Sequence, residues 1–104
     1  MMNKRRAPRL SVNCQVSFAI EDTEGTGTVY NISEHGCAVT TAVPVPDEGY
    51  ASASITIPGQ REPIIVELAH VRWASPNEFG LEFQILRGNS RRRLLKFLAS
   101  AQAA

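Results

Sequence analysis

From position 11 the chain alternates strictly. Val12, Cys14, Val16, Phe18 and Ile20 point one way, and Ser11, Asn13, Gln15 and Ser17 the other. A period of two is that of a strand with one buried face. Shorter strand-like runs follow at 26–32, 37–41, 52–57, 64–73 and 79–85, rich in β-branched residues. Punctuation separates them. Glu21 to Gly25 reads as a polar turn, and Ser33-Glu34-His35-Gly36 as a tight turn with Gly36 suited to a positive φ. Pro44, Pro46, Asp47 and Gly49 mark a loop; Pro58-Gly59 and Ser75-Pro76-Asn77 mark turns. The imperfect alternation of 64–73 predicts a bulge or sharp bend. Near the end the period changes: Leu94, Leu95, Phe97, Leu98 and Ala101 fall on one helical face.

These elements predict an all-β fold: a small six-stranded antiparallel β-barrel with a C-terminal α-helix. Closure is favoured because it leaves no free sheet edges. The chain divides into an irregular basic arm (1–9), which Pro8 keeps from being helical, a barrel (10–86) and a helix (89–102) within one domain, 1–104. Phe18, Val29, Leu81, Phe83, Leu94 and Leu98 are expected in the core. Asn89 or Ser90 is expected to cap the helix. Arg91, Arg92 and Arg93 oppose its dipole and are read as solvated.

Composition narrows the picture. A chain of 104 residues with 43% hydrophobic and 20% charged residues is an ordinary globular domain. No apolar stretch is long enough to span a bilayer, so no membrane insertion is expected. No long apolar run follows Met1-Met2-Asn3-Lys4-Arg5-Arg6, which predicts a cytoplasmic location. Cys14 and Cys37 have no metal-ligand spacing and are read as buried reduced thiols. The net charge of +1 gives no global attraction to nucleic acid. The cations are clustered all the same, at 4–9 and 91–93, so local anion binding stays open.

Two clusters carry candidate chemistry. Arg5-Arg6-Ala7-Pro8-Arg9 is an RxxxR arrangement just before the first strand. Guanidiniums can clamp a phosphate or meet a base edge with a planar fork. Asn31-Ile32-Ser33-Glu34-His35-Gly36 is an NxSxxG arrangement between two strands. Asn31 and Ser33 are two apart and share a side of an extended chain, where an amide and a hydroxyl can read a nucleobase. No catalytic set emerges: His35 and His70 lack a nucleophile at readable spacing, and Glu34 and Glu82 form no evident acid/base pair. No metal set and no Gly-rich phosphate loop is present in the sequence.

In this order and within this barrel pattern, the two clusters resemble the PilZ family, whose signature is RxxxR followed by [D/N]xSxxG. The resemblance covers nearly the whole chain, including Val71-Arg72-Trp73 and Phe79-Gly80-Leu81-Glu82-Phe83 as closing strands. It implies a non-enzymatic receptor for the bacterial second messenger cyclic di-GMP, with no other cofactor. It further implies a change of arm conformation on binding and an output through an unidentified protein partner. Arg5 and Arg9 would meet phosphate and guanine; Asn31, Ser33 and Gly36 would surround a guanine. Asparagine in place of aspartate keeps an acceptor but gives up a charge-assisted bond. Lys4 and Arg6 are possible additional contacts. In the family a basic residue just before RxxxR favours a stacked pair of ligands, so Lys4 predicts two per chain. Two readings compete: a PilZ-like interaction module without ligand, and a small barrel for single-stranded nucleic acid. The second is disfavoured by 7% aromatic residues and near-neutral charge.

Overall fold

The computed structural model describes residues 9–103. Six strands, β1 (Leu10–Ile20), β2 (Thr23–Ile32), β3 (Gly36–Thr40), β4 (Tyr50–Thr56), β5 (Ile64–Ser75) and β6 (Glu78–Leu86), precede one helix, α1 (Ser90–Ala103). The strands form a closed antiparallel barrel in the order β1-β2-β3-β6-β5-β4. The predicted fold is therefore the observed one. The β1–β2 connection is tighter than the polar run suggested. It is a two-residue turn at Glu21-Asp22, with Glu21 at φ 52°, and pairing begins at Thr23.

The alternation along β1 buries Cys14, Val16, Phe18 and Ile20 inside the barrel. Phe18 meets Phe79 edge to face at 4.9 Å, a favoured aromatic geometry. Leu94 and Leu98 of α1 complete the same core. Of the six expected core residues, Phe83 is the exception: it is half-buried at the margin. The last rung between β3 and β6 is Gly36 with Glu82, so Phe83 lies just past the cover that β3 provides.

The irregular β5 does carry bulges. Its register against β6 shifts between Val66 and Leu68, between Leu68 and Ala69, and between Val71 and Trp73. These shifts reset which side chains face inward. Ala69 and Val71 are buried, while Arg72 and Trp73 are both exposed.

The start of α1 departs from expectation. The Asn89 side chain accepts from Arg93 Nε (3.0 Å), and Ser90 Oγ accepts from the Ile65 N–H (2.8 Å). Neither of these bonds caps the helix's own N–H groups; they tie it to β5 and to itself. Arg93 is not simply solvated either. It donates to the Glu62 carbonyl (2.8 Å), the Pro63 carbonyl (2.7 Å) and Gln60 Oε1 (2.9 Å). The guanidinium thus satisfies loop acceptors that have no strand partner, using the fork that lysine lacks. Arg91 reaches Glu34 Oε2 at 3.2 Å; Arg92 is exposed.

Candidate functional site

Arg9, the described member of the first sequence cluster, meets the second at the end of β2. Arg9 precedes β1 directly, and β1 pairs with β2 through Ser11 and Asn31. That pairing brings Arg9 beside the end of β2, where its Nε donates to Asn31 Oδ1 at 3.0 Å. The turn from Ser33 to Gly36 then leads into β3. Ser33 is 2% exposed; its N–H donates to the Gly36 carbonyl (2.8 Å), and its Oγ accepts from the His35 N–H (3.2 Å). A hydroxyl that accepts can still donate its own hydrogen, so the same side chain can brace the turn and meet a ligand.

Gly36 is needed for a reason other than the one expected. It does not have a positive φ; that conformation occurs at Gly49, Gly59 and Gly88. A Cβ at Gly36 would lie 2.2 Å from the Leu81 carbonyl oxygen. The glycine permits close approach of β3 to β6.

Arg9, Asn31, Ser33 and Gly36 line an open cavity of about 390 Å³. Arg5, Lys4 and Arg6 lie outside the described residues. A larger hollow of about 690 Å³ lies against the outer wall, lined by Ser17, Ser52 and Ser54 beside the Glu67–Arg87 ion pair. Size alone would favour it, but its hydroxyls converge with no unpaired cation, so the smaller cavity is the chemically equipped one.

Among the further residues on the cavity wall that were not assigned a role from sequence are Tyr30, Arg72 and Trp73. The Tyr30 hydroxyl donates to Glu78 Oε1, and that bond, with some burial, raises its pKa. Arg72 is held by Glu82 Oε1 at 3.1 Å. Trp73 is 42% exposed and adds an aromatic face, the element a base-binding wall needs. Alternation would have turned Trp73 inward with Val71; the bulge between them turns it out. The signal available in sequence was the broken alternation itself. Cys37 lies in the same wall. Burial pushes its thiol up to about 12, against the smaller lowering effect of the Arg9 charge. His35 is exposed, and His70 lies against Tyr50 with ring centroids 5.3 Å apart and the planes tilted by 41°. Among the described residues no three His, Cys, Asp or Glu side chains are grouped to hold a metal, and no helix is long and apolar enough to cross a membrane.

Comparison with known structures finds the same architecture in the Bacillus subtilis inhibitor of motility (MotI/DgrA). The TM-score is 0.78 at 22% identity, over 98% of this chain and 53% of that one. The chain therefore spans about half the length of that protein, and at this identity the likeness speaks for fold alone. No curated protein matches. The family model for the PilZ domain matches residues 3–100. That span takes in the arginine arm, the asparagine–serine–glycine turn and all six strands, and with it the chain belongs to the PilZ domain family.

Proposed function

We propose that the chain is a receptor that binds cyclic di-GMP at this cavity and passes its occupancy to a protein partner without catalysing a reaction. The observation that carries the reading is the Arg9–Asn31 hydrogen bond, which joins two motifs 22 residues apart at one opening. The ligand has two phosphates and two guanines, so it needs cations and edge readers together. Arg9, with Arg5 on the arm, supplies forks for phosphate and for the two acceptors of a guanine Hoogsteen edge. Asn31 and Ser33 supply an amide and a hydroxyl, and Gly36 keeps that wall free of side chain. Trp73 offers a stacking surface. A cavity of about 390 Å³ falls within the usual size of small-molecule sites, about 300–1,000 Å³. In this reading the arm closes over the ligand. Arm and cavity are cytoplasmic, where the messenger is made.

Calorimetry with cyclic di-GMP, and with GTP and GMP as controls, tests this. Binding of cyclic di-GMP in preference to both controls is expected; no heat at about 100 μM ligand, equivalent to a loss of all affinity beyond about 5.5 kcal/mol, overturns it. The same titration gives stoichiometry. Lys4 supplies charge toward the four negative charges of a stacked pair but no stacking plane. Two ligands per chain are expected, the second bound more tightly by Lys4→Arg. One ligand in wild type, Lys4→Arg and Lys4→Leu alike removes this role from Lys4 and leaves the receptor reading intact.

A further inference from the structure

We propose that Gly80 is a positioning residue for ligand binding: by having no side chain, it seats the Trp73 indole flat on the sheet as one wall of the cavity. The ligand part of this inference rests on the cyclic di-GMP reading.

Trp73 of β5 and Gly80 of β6 are direct cross-strand partners. A Cβ on Gly80 would lie 2.3 Å from the indole Nε1, 2.6 Å from Cε2 and 3.0 Å from Cδ1. All three atoms belong to the five-membered ring, so that ring lies over the bare Cα. The obstruction is side chain and not backbone. A methyl at position 80 would displace the indole and leave the strand pairing in place. At Gly36 the obstruction is the Leu81 carbonyl, and there the backbone itself would have to move. The two glycines on this wall therefore differ in kind: one serves the fold, the other an aromatic side chain.

The seat matters because the register shift between Val71 and Trp73 turns the indole out of the core. Without inward packing to fix it, its orientation depends on what lies beneath it. Gly80 and Trp73 both line the cavity that holds Arg9, Asn31 and Ser33, so the face not covered by Gly80 is presented to a bound base. An aromatic over a glycine also stabilises a sheet. A test therefore needs a readout that stability does not move.

Trp73 is the only tryptophan in the chain, and its emission reports its own seat. Gly80→Ala is expected to change the emission and acrylamide quenching of the free protein. It is also expected to weaken cyclic di-GMP binding about tenfold, within the range for loss of one stacked base. Trp73→Ala should weaken binding to a similar degree. In the double variant, Gly80→Ala should add less than about twofold, because its effect acts through the ring. An equal loss from Gly80→Ala with and without the ring overturns the proposal. So does unchanged emission in Gly80→Ala. If Gly80→Ala does not fold, the double variant decides: removing the ring should restore folding, and failure to do so makes Gly80 a residue of the fold alone. No binding by wild type removes the ligand role itself, whereas unaltered affinity in Gly80→Ala removes only the role given to Gly80.

Discussion

Arg9 and Ser33 sit in one cavity wall but differ in what else they support. Arg9 is exposed and precedes β1, outside the core, so on the proposed reading its contribution goes to the ligand and not to the fold. Arg9→Ala is expected to weaken cyclic di-GMP binding by about 1.5–3 kcal/mol, the range for hydrogen bonds to charged groups, with little change in melting of the free protein. Arg5→Ala should behave alike. An unfolded Arg9→Ala protein would contradict this placement. Ser33 is buried and accepts the His35 N–H. Ser33→Ala should cost binding only about 0.5–1.5 kcal/mol, but unlike Arg9→Ala it should also lower the melting temperature, since it strands a turn donor. Cys37 makes a separate prediction through pH. Its thiol is raised from 9.0 to about 12 by burial. Below pH 9 both folded and unfolded chains keep the proton; between 9 and 12 only the unfolded chain releases it, so folding stability falls across that window. Urea unfolding of wild type between pH 8 and 11 should show the fall, and Cys37→Ala should reduce it. An identical fall in both proteins would assign the effect elsewhere, to the Cys14 thiol, which burial also raises, or to the Tyr30 phenol, raised by its bond to Glu78.

At the scale of elements, α1 is held by apolar packing and by its arginines. Leu98 is 7% exposed in the common core, so Leu98→Ala should destabilise by about 2–5 kcal/mol in denaturant unfolding. A change under about 0.5 kcal/mol would show the helix undocked. How far such elements were legible depended on whether a local period decided them. The alternation of β1 and the helical spacing of Leu94 and Leu98 were direct consequences of burying one face, and both appear in the structure. Trp73 escaped because a bulge, fixed by pairing with β6, reverses its side. Arg93 escaped because its partners, the Glu62 and Pro63 carbonyls, are 31 and 30 residues away. Gly36 was singled out for the wrong reason: the Leu81 carbonyl that crowds it belongs to a strand far along the chain. The candidate site was legible as two motifs; that they face one cavity through Arg9 and Asn31 needed the β1–β2 register.

Across the whole molecule, charge is unevenly placed. Glu21, Asp22, Glu24, Asp47 and Glu48 are exposed around the β1–β2 turn and the loop before β4, where Glu21 Oε2 accepts the Tyr50 N–H at 3.0 Å. Arg9 is exposed on the cavity wall, and Arg91 is exposed where its pair with Glu34 ties α1 to the turn beside that cavity. Exposed cations beside the cavity draw an anionic ligand toward it. The association rate of cyclic di-GMP, followed by Trp73 emission in stopped flow, should fall as salt rises. Replacing Arg91 by Gln should slow association more than it alters dissociation. A salt-independent association rate would contradict this. The closed ring has a further consequence, in time. Its seam between β1 and β4 pairs Gln15 with Thr56 and Ile20 with Ala51, and the one between β3 and β6 pairs Gly36 with Glu82. Both join segments far apart in sequence, whose loop-closure entropy is spent before their contacts form, the condition that makes barrels fold in about milliseconds to seconds. The cavity straddles the β3–β6 seam, with Asn31 and Ser33 on one side and Trp73 and Gly80 on the other. A chain still emerging from the ribosome, with β1 to β3 made and β6 not yet synthesised, has only half of the cavity wall; the site is whole only when the ring shuts.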